Sequence, residues 1–352
     1  MSPRLRLLAL AALAVVAVCV PFMFGSFRVG QFTQVLAYAV AILGLNLLVG
    51  YSGQISLGHG AFFALGAYVA AILIADHGFP HLLTVPIAGA FAWVAGLLVG
   101  LPALRVRGLY LALLTLGLAV ATPPVIKRLD SLTGGAQGMN VASPEPPSGV
   151  GLAQDQWIYF VTLAVAVVLF ALVASMLRGR VGRALITIRD DEIVARSMGV
   201  NLALYKTRAF AISAAYAGMG GALYVFTVGF VSPESFTVTL SIGFLAAVVV
   251  GGLATVSGAV LGALFIVLVP EYAADVDEAL AGVIYGTVLI VFMYVERGGL
   301  VGIGRRLGRG LGLVGRDNNG RRRSAHAQVT GDAAARPAGD GTGARRGGLR
   351  TR

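Results

Sequence analysis

The chain has 352 residues, 57% of them hydrophobic and 12% charged, which excludes a soluble globular domain, a class that carries about 25% charged residues. The net charge of +11 would suit nucleic acid, but the bases sit in loops between apolar runs and in a low-complexity tail. No nucleic-acid partner is therefore expected. The single cysteine, Cys19, excludes an intrachain disulfide and a Cys-based metal cluster.

Apolar runs of crossing length recur along the chain, which predicts an all-α, polytopic integral membrane protein. Residues 1–30 carry Arg4 and Arg6 before an apolar run from Leu7 to Phe24. This reads as a retained first transmembrane helix; the rival is a cleaved signal peptide. A lipoprotein reading of Cys19 is disfavoured because Val18 is bulky where a small residue is required. Further spans are expected near 31–50, 57–75, 82–101, 108–126, 157–177, 208–230, 240–269 and 280–295. The run at 240–269 is too long for one ordinary crossing, and Gly251-Gly252 with Ser257-Gly258 predicts a broken or re-entrant segment near 251–258. Counting that run twice gives about ten crossings.

The charge map supports this count. With the N-terminus inside, the outer segments hold three bases, Arg28, Lys127 and Arg128, and 24 fall inside. Nine of the 16 acids fall outside. A basic inner surface is the expected orientation. Residues 127–156 form the longest outer loop, residues 31–300 the core, and residues 304–352 a disordered basic cytoplasmic tail lying against anionic lipid. Gly96 with Gly100, Gly258 with Gly262, and Gly282 with Gly286 are spaced for close helix packing.

The stretch Gly50–Tyr68, GYSGQISLGHGAFFALGAY, interrupts the apolar pattern with glycines and hydroxyls near 50–57. Non-helical backbone at membrane depth survives only where protein or a watery cavity satisfies it. Asn46, Ser52, Gln54, Ser56 and His59 are the candidate substrate-pathway residues; the alternative for each is interhelical packing. Gly50-Tyr51-Ser52-Gly53 also matches the G-x-S-G of rhomboid-like intramembrane serine proteases. Nucleophilic serine needs a general base within reach, and His59 is the only histidine in an apolar span. No metal-ligand spacing occurs in the spans. The two lysines, Lys127 and Lys206, complete no P-loop. ATP, if used, must be bound by partner subunits.

Residues 178–208 form the long charged segment between two apolar spans, with seven bases against three acids, and are expected on the cytoplasmic side. A short helix is predicted inside it, capped by Thr187 or Asp190 and stopped at Gly199, with Ile193, Val194 and Met198 on an apolar side.

Gly50–Tyr68 and Gly182–Tyr224 (GRALITIRDDEIVARSMGVNLALYKTRAFAISAAYAGMGGALY) resemble the inner-membrane permeases of branched-chain amino acid ABC importers, of the LivM type. RGLYLALLTLG (Arg107–Gly117), SLTGG (Ser131–Gly135), GFVSPESF (Gly229–Phe236) and VVVGGLATVSGAVLGA (Val248–Ala263) extend the resemblance over roughly 30–300, in order. It implies a non-enzymatic permease subunit in a bacterial plasma (inner) membrane, with both termini cytoplasmic. Its implied partners are two ATP-binding subunits, a second homologous permease, an external substrate-binding protein and membrane lipid. It further implies an ATPase-coupling helix at Arg189, Asp190, Asp191, Glu192, Ala195, Arg196 and Gly199. Related importers carry urea or short-chain amides, which is the alternative substrate class. ATPPVIKRLD (Ala121–Asp130) departs from the family pattern, and Pro123-Pro124 is expected to alter that helix end.

Overall fold

The computed structural model describes residues 15–103, 108–149, 151–277, 280–295 and 299–303. The expected basic tail at 304–352 lies outside the described residues, as do Arg4, Arg6, Arg105, Arg107 and Glu278. After a helix at 15–23 (α1) come α2 (Ser26–Asn46), α3 (His59–Ala75), α4 (His81–Ala103) and α5 (Leu109–Arg128). The one-turn α6 (Asp130–Thr133) precedes α7 (Gln154–Arg178), α8 (Arg180–Asp190), α9 (Glu192–Ser197) and α10 (Leu202–Val228). The chain continues through α11 (Val238–Gly251), α12 (Val256–Val276) and α13 (Ala281–Val295).

Among the described residues, six helical segments are long and apolar enough to cross a membrane: α2 with the π-turn Leu47–Tyr51 that extends it, α4, α5, α7, α10 and α12. The apolar helices α3, α11 and α13 are shorter. This is a polytopic membrane architecture. Pro123 and Pro124 do not end α5, which runs on to Arg128.

The helices α2 and α10 form the centre. Their most apolar windows are 72% and 78% buried, against 22–33% for α4, α5, α7 and α12. Small residues permit that centrality, because a helix can be surrounded only if its backbone is approached closely. A Cβ at Gly44 of α2 would stand 2.6 Å from the Cβ of Tyr216 and 2.7 Å from the carbonyl oxygen of Ser213 on α10. A Cβ at Gly96 of α4 would likewise stand 3.0 Å from the Cα of Ala211 on α10. Gly262 packs on Ala247, joining α12 to α11, whereas a Cβ at Gly282 or Gly286 would meet nothing. Tyr38, Phe63, Tyr224, Phe236 and Phe244 fill the space between α2, α3, α10 and α11, with ring centroids 5.3–6.3 Å apart.

At one end of the bundle, β1 (Met139–Asn140) pairs antiparallel with β2 (Phe230–Val231). This ribbon joins the loop that follows SLTGG to the GFVSPESF segment. Val141 N–H donates to the Gly229 carbonyl at 2.8 Å, and Lys127 bridges to Glu234. Arg28 faces Glu271 at the same end. Arg189–Asp190 and Lys206–Glu192 pair elsewhere. Each of these four ion pairs joins charges that the sequence map puts on one side of the membrane.

Two helix breaks lie among the described spans, at 53–58 and at 252–255. Both fall where glycines cluster. Gly53 takes φ +72° and Gly252 φ +120°, and Ala254 is the one non-glycine with positive φ among the described residues. That backbone carries strain and has to be held from outside.

Candidate functional site

The α2–α3 break is held from several sides, and its neighbours explain how it survives in an apolar bundle. Leu57 N–H donates to Thr115 Oγ1 of α5 at 2.9 Å, and Gly60 N–H donates to Ser241 Oγ of α11 at 3.0 Å. Ser56 Oγ accepts from Gly58 N–H at 3.3 Å. Thr115 and Ser241 are fully buried. Each replaces a helical carbonyl that the break removed. Sequence reasoning passed over both; the available signal was a lone hydroxyl inside an apolar run.

Asn46 ties this break to the other one. Its Oδ1 accepts from Ala254 N–H at 2.9 Å, while Nδ2 donates to the Thr255 carbonyl at 2.7 Å and the Gly252 carbonyl at 3.5 Å. One buried amide thus pins the strained turn between α11 and α12 against α2. The structure assigns Asn46 a backbone-holding task. His59, the first residue of α3, is buried, with Nε2 3.0 Å from the Ala41 carbonyl. Ser52 is buried too, and its Oγ accepts from Gln54 Nε2 at 2.6 Å. Ser52 and His59 are each engaged with other groups, so among the described residues the structure pairs no histidine with the serine of the G-x-S-G match. Ser52, Gln54, Ser56 and His59 lie in or beside the first break and Asn46 holds the second, and none of the five lines either cavity described below.

The cytoplasmic-type segment reaches this same place. Arg189, near the end of α8, donates from Nη1 to the Gly50 carbonyl at 2.8 Å, inside the π-turn. Its Nε and Nη2 donate to Asp190 Oδ1 at 3.0 and 2.9 Å, which fixes the guanidinium plane. Gly53 makes room for it: a Cβ there would lie 3.0 Å from Arg189 Cγ. Gln54 adds a longer contact, 3.3 Å from Nε2 to the Lys206 carbonyl at the start of α10. The two stretches that stand out in the sequence therefore meet in space.

The charged segment contains two helices where one was expected. Thr187 and Asp190 belong to α8, and the capping expectation is corrected. Thr187 Oγ1 donates back to the Arg183 carbonyl, and the cap of α9 is Asp191. Asp191 Oδ1 accepts from Ile193 N–H at 2.7 Å and Val194 N–H at 3.1 Å. An acidic cap satisfies otherwise unpaired N–H groups and sits at the positive end of the helix dipole. At the other end, Gly199 takes φ +79°. Gly199 N–H then reaches the Arg196 carbonyl and Val200 N–H the Ala195 carbonyl, the Schellman pattern.

Capped at both ends, α9 is anchored by buried Ala195 and by the pair between Glu192 and Lys206 of α10. It leaves Ile193 81% and Met198 72% exposed, with Val194 beside them. Such an exposed apolar face on a short, rigid, two-ended helix is suited to seat in another protein. Arg196 is also exposed.

Two cavities open among the helices. One, of 340 Å³, lies between α3, α4 and α5; Phe62, Leu65, Val69, Leu118 and Val125 dominate its wall. The other, of 670 Å³, lies between α2, α11, α12 and α13 and carries polar side chains. Among the described residues no group of three or more His, Cys, Asp or Glu is placed to hold a metal ion.

The family profile described as "Branched-chain amino acid transport system / permease component" matches residues 27–293. The chain belongs to this family. It is similar to the high-affinity branched-chain amino acid transport system permease protein LivM of Escherichia coli (strain K12), 35% identical over 312 residues, covering 82% of this chain and 73% of the relative. BraD of Pseudomonas aeruginosa, also named a high-affinity branched-chain amino acid transport system permease protein, is 26% identical, covering 74% of this chain and 90% of the relative. The LivH permease protein of E. coli K12 is 24% identical, covering 75% and 91%. No solved structure matches the chain.

Proposed function

We propose that this chain is one transmembrane half of an ATP-driven importer for branched-chain or related amino acids, resident in a bacterial inner membrane. It makes no covalent chemistry. A second, homologous permease supplies the other half of the passage, two separate subunits bind ATP, and an external protein delivers substrate. About ten crossings, with α1 as the first, put both termini in the cytoplasm, the orientation that the basic 178–208 segment favours.

The observation that carries this reading is the 2.8 Å bond from Arg189 to the Gly50 carbonyl. It joins a segment built for contact to a break in the membrane-embedded helices. An ATPase seated on α9, in contact with Arg196, Ile193 and Met198, would move α8 and α9 as one piece. Arg189 passes that motion to the π-turn, and Glu192–Lys206 passes it to α10, which packs on α2, α3 and α4. For ATP to drive the change, the closed ATPase must favour one arrangement of the permease over the other. Asn46, Ser52, Gln54, Ser56 and His59 belong in this scheme to the substrate pathway, since four of them lie at the first break and Asn46 holds the second. Selection among branched-chain amino acids, urea and short amides then rests chiefly with the binding protein.

The test is purification of the assembly in mild detergent, beside a variant with Glu192→Arg and Arg196→Glu. P-loop ATPases and a second permease should accompany the wild type, and the ATPases alone should be lost from the variant. ATPases that stay on the variant would move the contact elsewhere. A wild type that brings down no ATPase and moves leucine unaided would overturn the importer reading.

A further inference from the structure

The cavity of 670 Å³ between α2, α11, α12 and α13 lies at the end of the bundle opposite Arg189, and none of the pathway residues legible in the sequence belongs to it. Its size suits a small molecule, for which sites of about 300–1,000 Å³ are usual. Its wall has two chemistries. Gln31, Gln34 and Tyr38 stand at i, i+3 and i+7 on one face of α2, with Glu271 of α12 also on the wall; Leu240, Ile242, Ile266 and Val267 form the aliphatic part.

The internal hydrogen bonds define what is left over for a ligand. Arg28 Nη1 donates to Gln31 Oε1 at 3.1 Å, so the Gln31 amide N–H groups remain as donors. Gln34 donates from Nε2 to the Tyr38 hydroxyl at 3.2 Å, which leaves Gln34 Oε1 as an acceptor. Glu271 stands 3.8 Å from Arg28, beyond direct hydrogen-bond distance, so its carboxylate keeps acceptor capacity. Pro270 has no N–H, and the Ile266 carbonyl one turn earlier therefore lacks its usual helical donor. The structure carries α12 on to Val276, so Glu271 stands within the helix and not beyond its end.

Donors beside a guanidinium, acceptors beside a carboxylate and a branched aliphatic wall are together the complement of an apolar zwitterion. We propose that this cavity is a substrate-binding station of the permease, taking a free α-amino acid with an aliphatic side chain. The Gln31 amide, polarised by Arg28 behind it, receives its carboxylate, Glu271 and Gln34 Oε1 its ammonium, and Leu240, Ile242, Ile266 and Val267 its side chain. This rests on the importer reading above and adds to it the place in the permease where such a ligand is held.

Gly243 offers a clean way to test it. It lines the cavity, and a Cβ placed on it meets nothing within 4 Å, so the backbone there accepts a side chain and Gly243→Leu adds bulk to the cavity wall. Gly117 of α5 is equally open and lines neither cavity, which makes Gly117→Leu the control. The assembled importer would be reconstituted in proteoliposomes and scored for ATP-driven uptake of radiolabelled leucine, for ATP hydrolysis stimulated by the loaded binding protein, and for subunit composition. Glu271→Gln and Gly243→Leu should each cut uptake roughly tenfold or more, the size expected for losing a charge-assisted contact or its room. Stimulated hydrolysis and composition should hold within about twofold, Gly117→Leu should match the wild type, and Glu271→Asp should recover part of the loss. Uptake within about twofold of wild type in both cavity variants overturns the assignment. So does loss of the second permease from Gly243→Leu, which would make the cavity a seat for a partner helix. A wild-type assembly that hydrolyses ATP but takes up no amino acid is a different failure, and it would sink the functional reading itself.

Discussion

Asn46 and Arg189 each hold a strained piece of backbone by hydrogen bonds, and they fail differently when changed. Asn46→Leu keeps the volume but strands Ala254 N–H and the Thr255 carbonyl in a buried turn. Each orphaned group costs about 1–3 kcal/mol, so the purified protein should unfold at lower temperature and the variant should lose transport together with stability. Arg189→Lys keeps the charge but cannot bond both Gly50 and Asp190 with one planar group. Stability should change little there, while leucine uptake per ATP hydrolysed should fall by about tenfold, equivalent to about 1.4 kcal/mol of coupling. A parallel fall in both uptake and hydrolysis would argue that Arg189 matters for assembly and not for transmission.

At the scale of the element, α9 is too short to persist by propensity; six residues are well below what an isolated helix needs in water. Its caps and its anchor on α10 hold it. Asp191→Ala removes the acceptor of two N–H groups and should destabilise α9 by about 1 kcal/mol. The expected readout is an approximately fivefold weaker titration of the ATPase subunits onto the permease. Asp191→Ser, which keeps a capping oxygen, should recover most of the affinity. The same segment shows how far local sequence carries. The acidic run and Gly199 marked a helix start and stop, but Thr187 and Asp190 were as good as Asp191 on capping chemistry alone. The choice between them depends on where α8 ends.

Across the whole molecule, the bundle is organised by which helices can be approached closely. Gly44→Val puts a methyl-bearing carbon against the backbone of Ser213 and the Cβ of Tyr216, and neither can rotate away. Overpacking of that kind costs roughly 1–3 kcal/mol. The thermal transition in detergent should drop accordingly, whereas Gly282→Val, which meets open space, should leave it unchanged. Equal transitions for the two would show that α2 and α10 are not the tight centre.

By itself the sequence determined the class, the family resemblance, the broken regions near 50–57 and 251–258 and the charged 178–208 segment. Hydropathy, glycine and charge are local quantities that the bilayer reads directly, because lipid forbids exposed backbone and loop bases stay inside. Only the tertiary structure decided that the two breaks are pinned together by Asn46, that Arg189 enters the π-turn, and that Thr115 and Ser241 complete the broken helix. It also gathered Gln31, Gln34 and Tyr38 of α2 and Glu271 of α12 on the wall of one cavity. These pairings join residues tens to hundreds of positions apart. Their partners are backbone groups and single side chains whose identity depends on how helices cross, and no periodicity along the chain encodes that crossing.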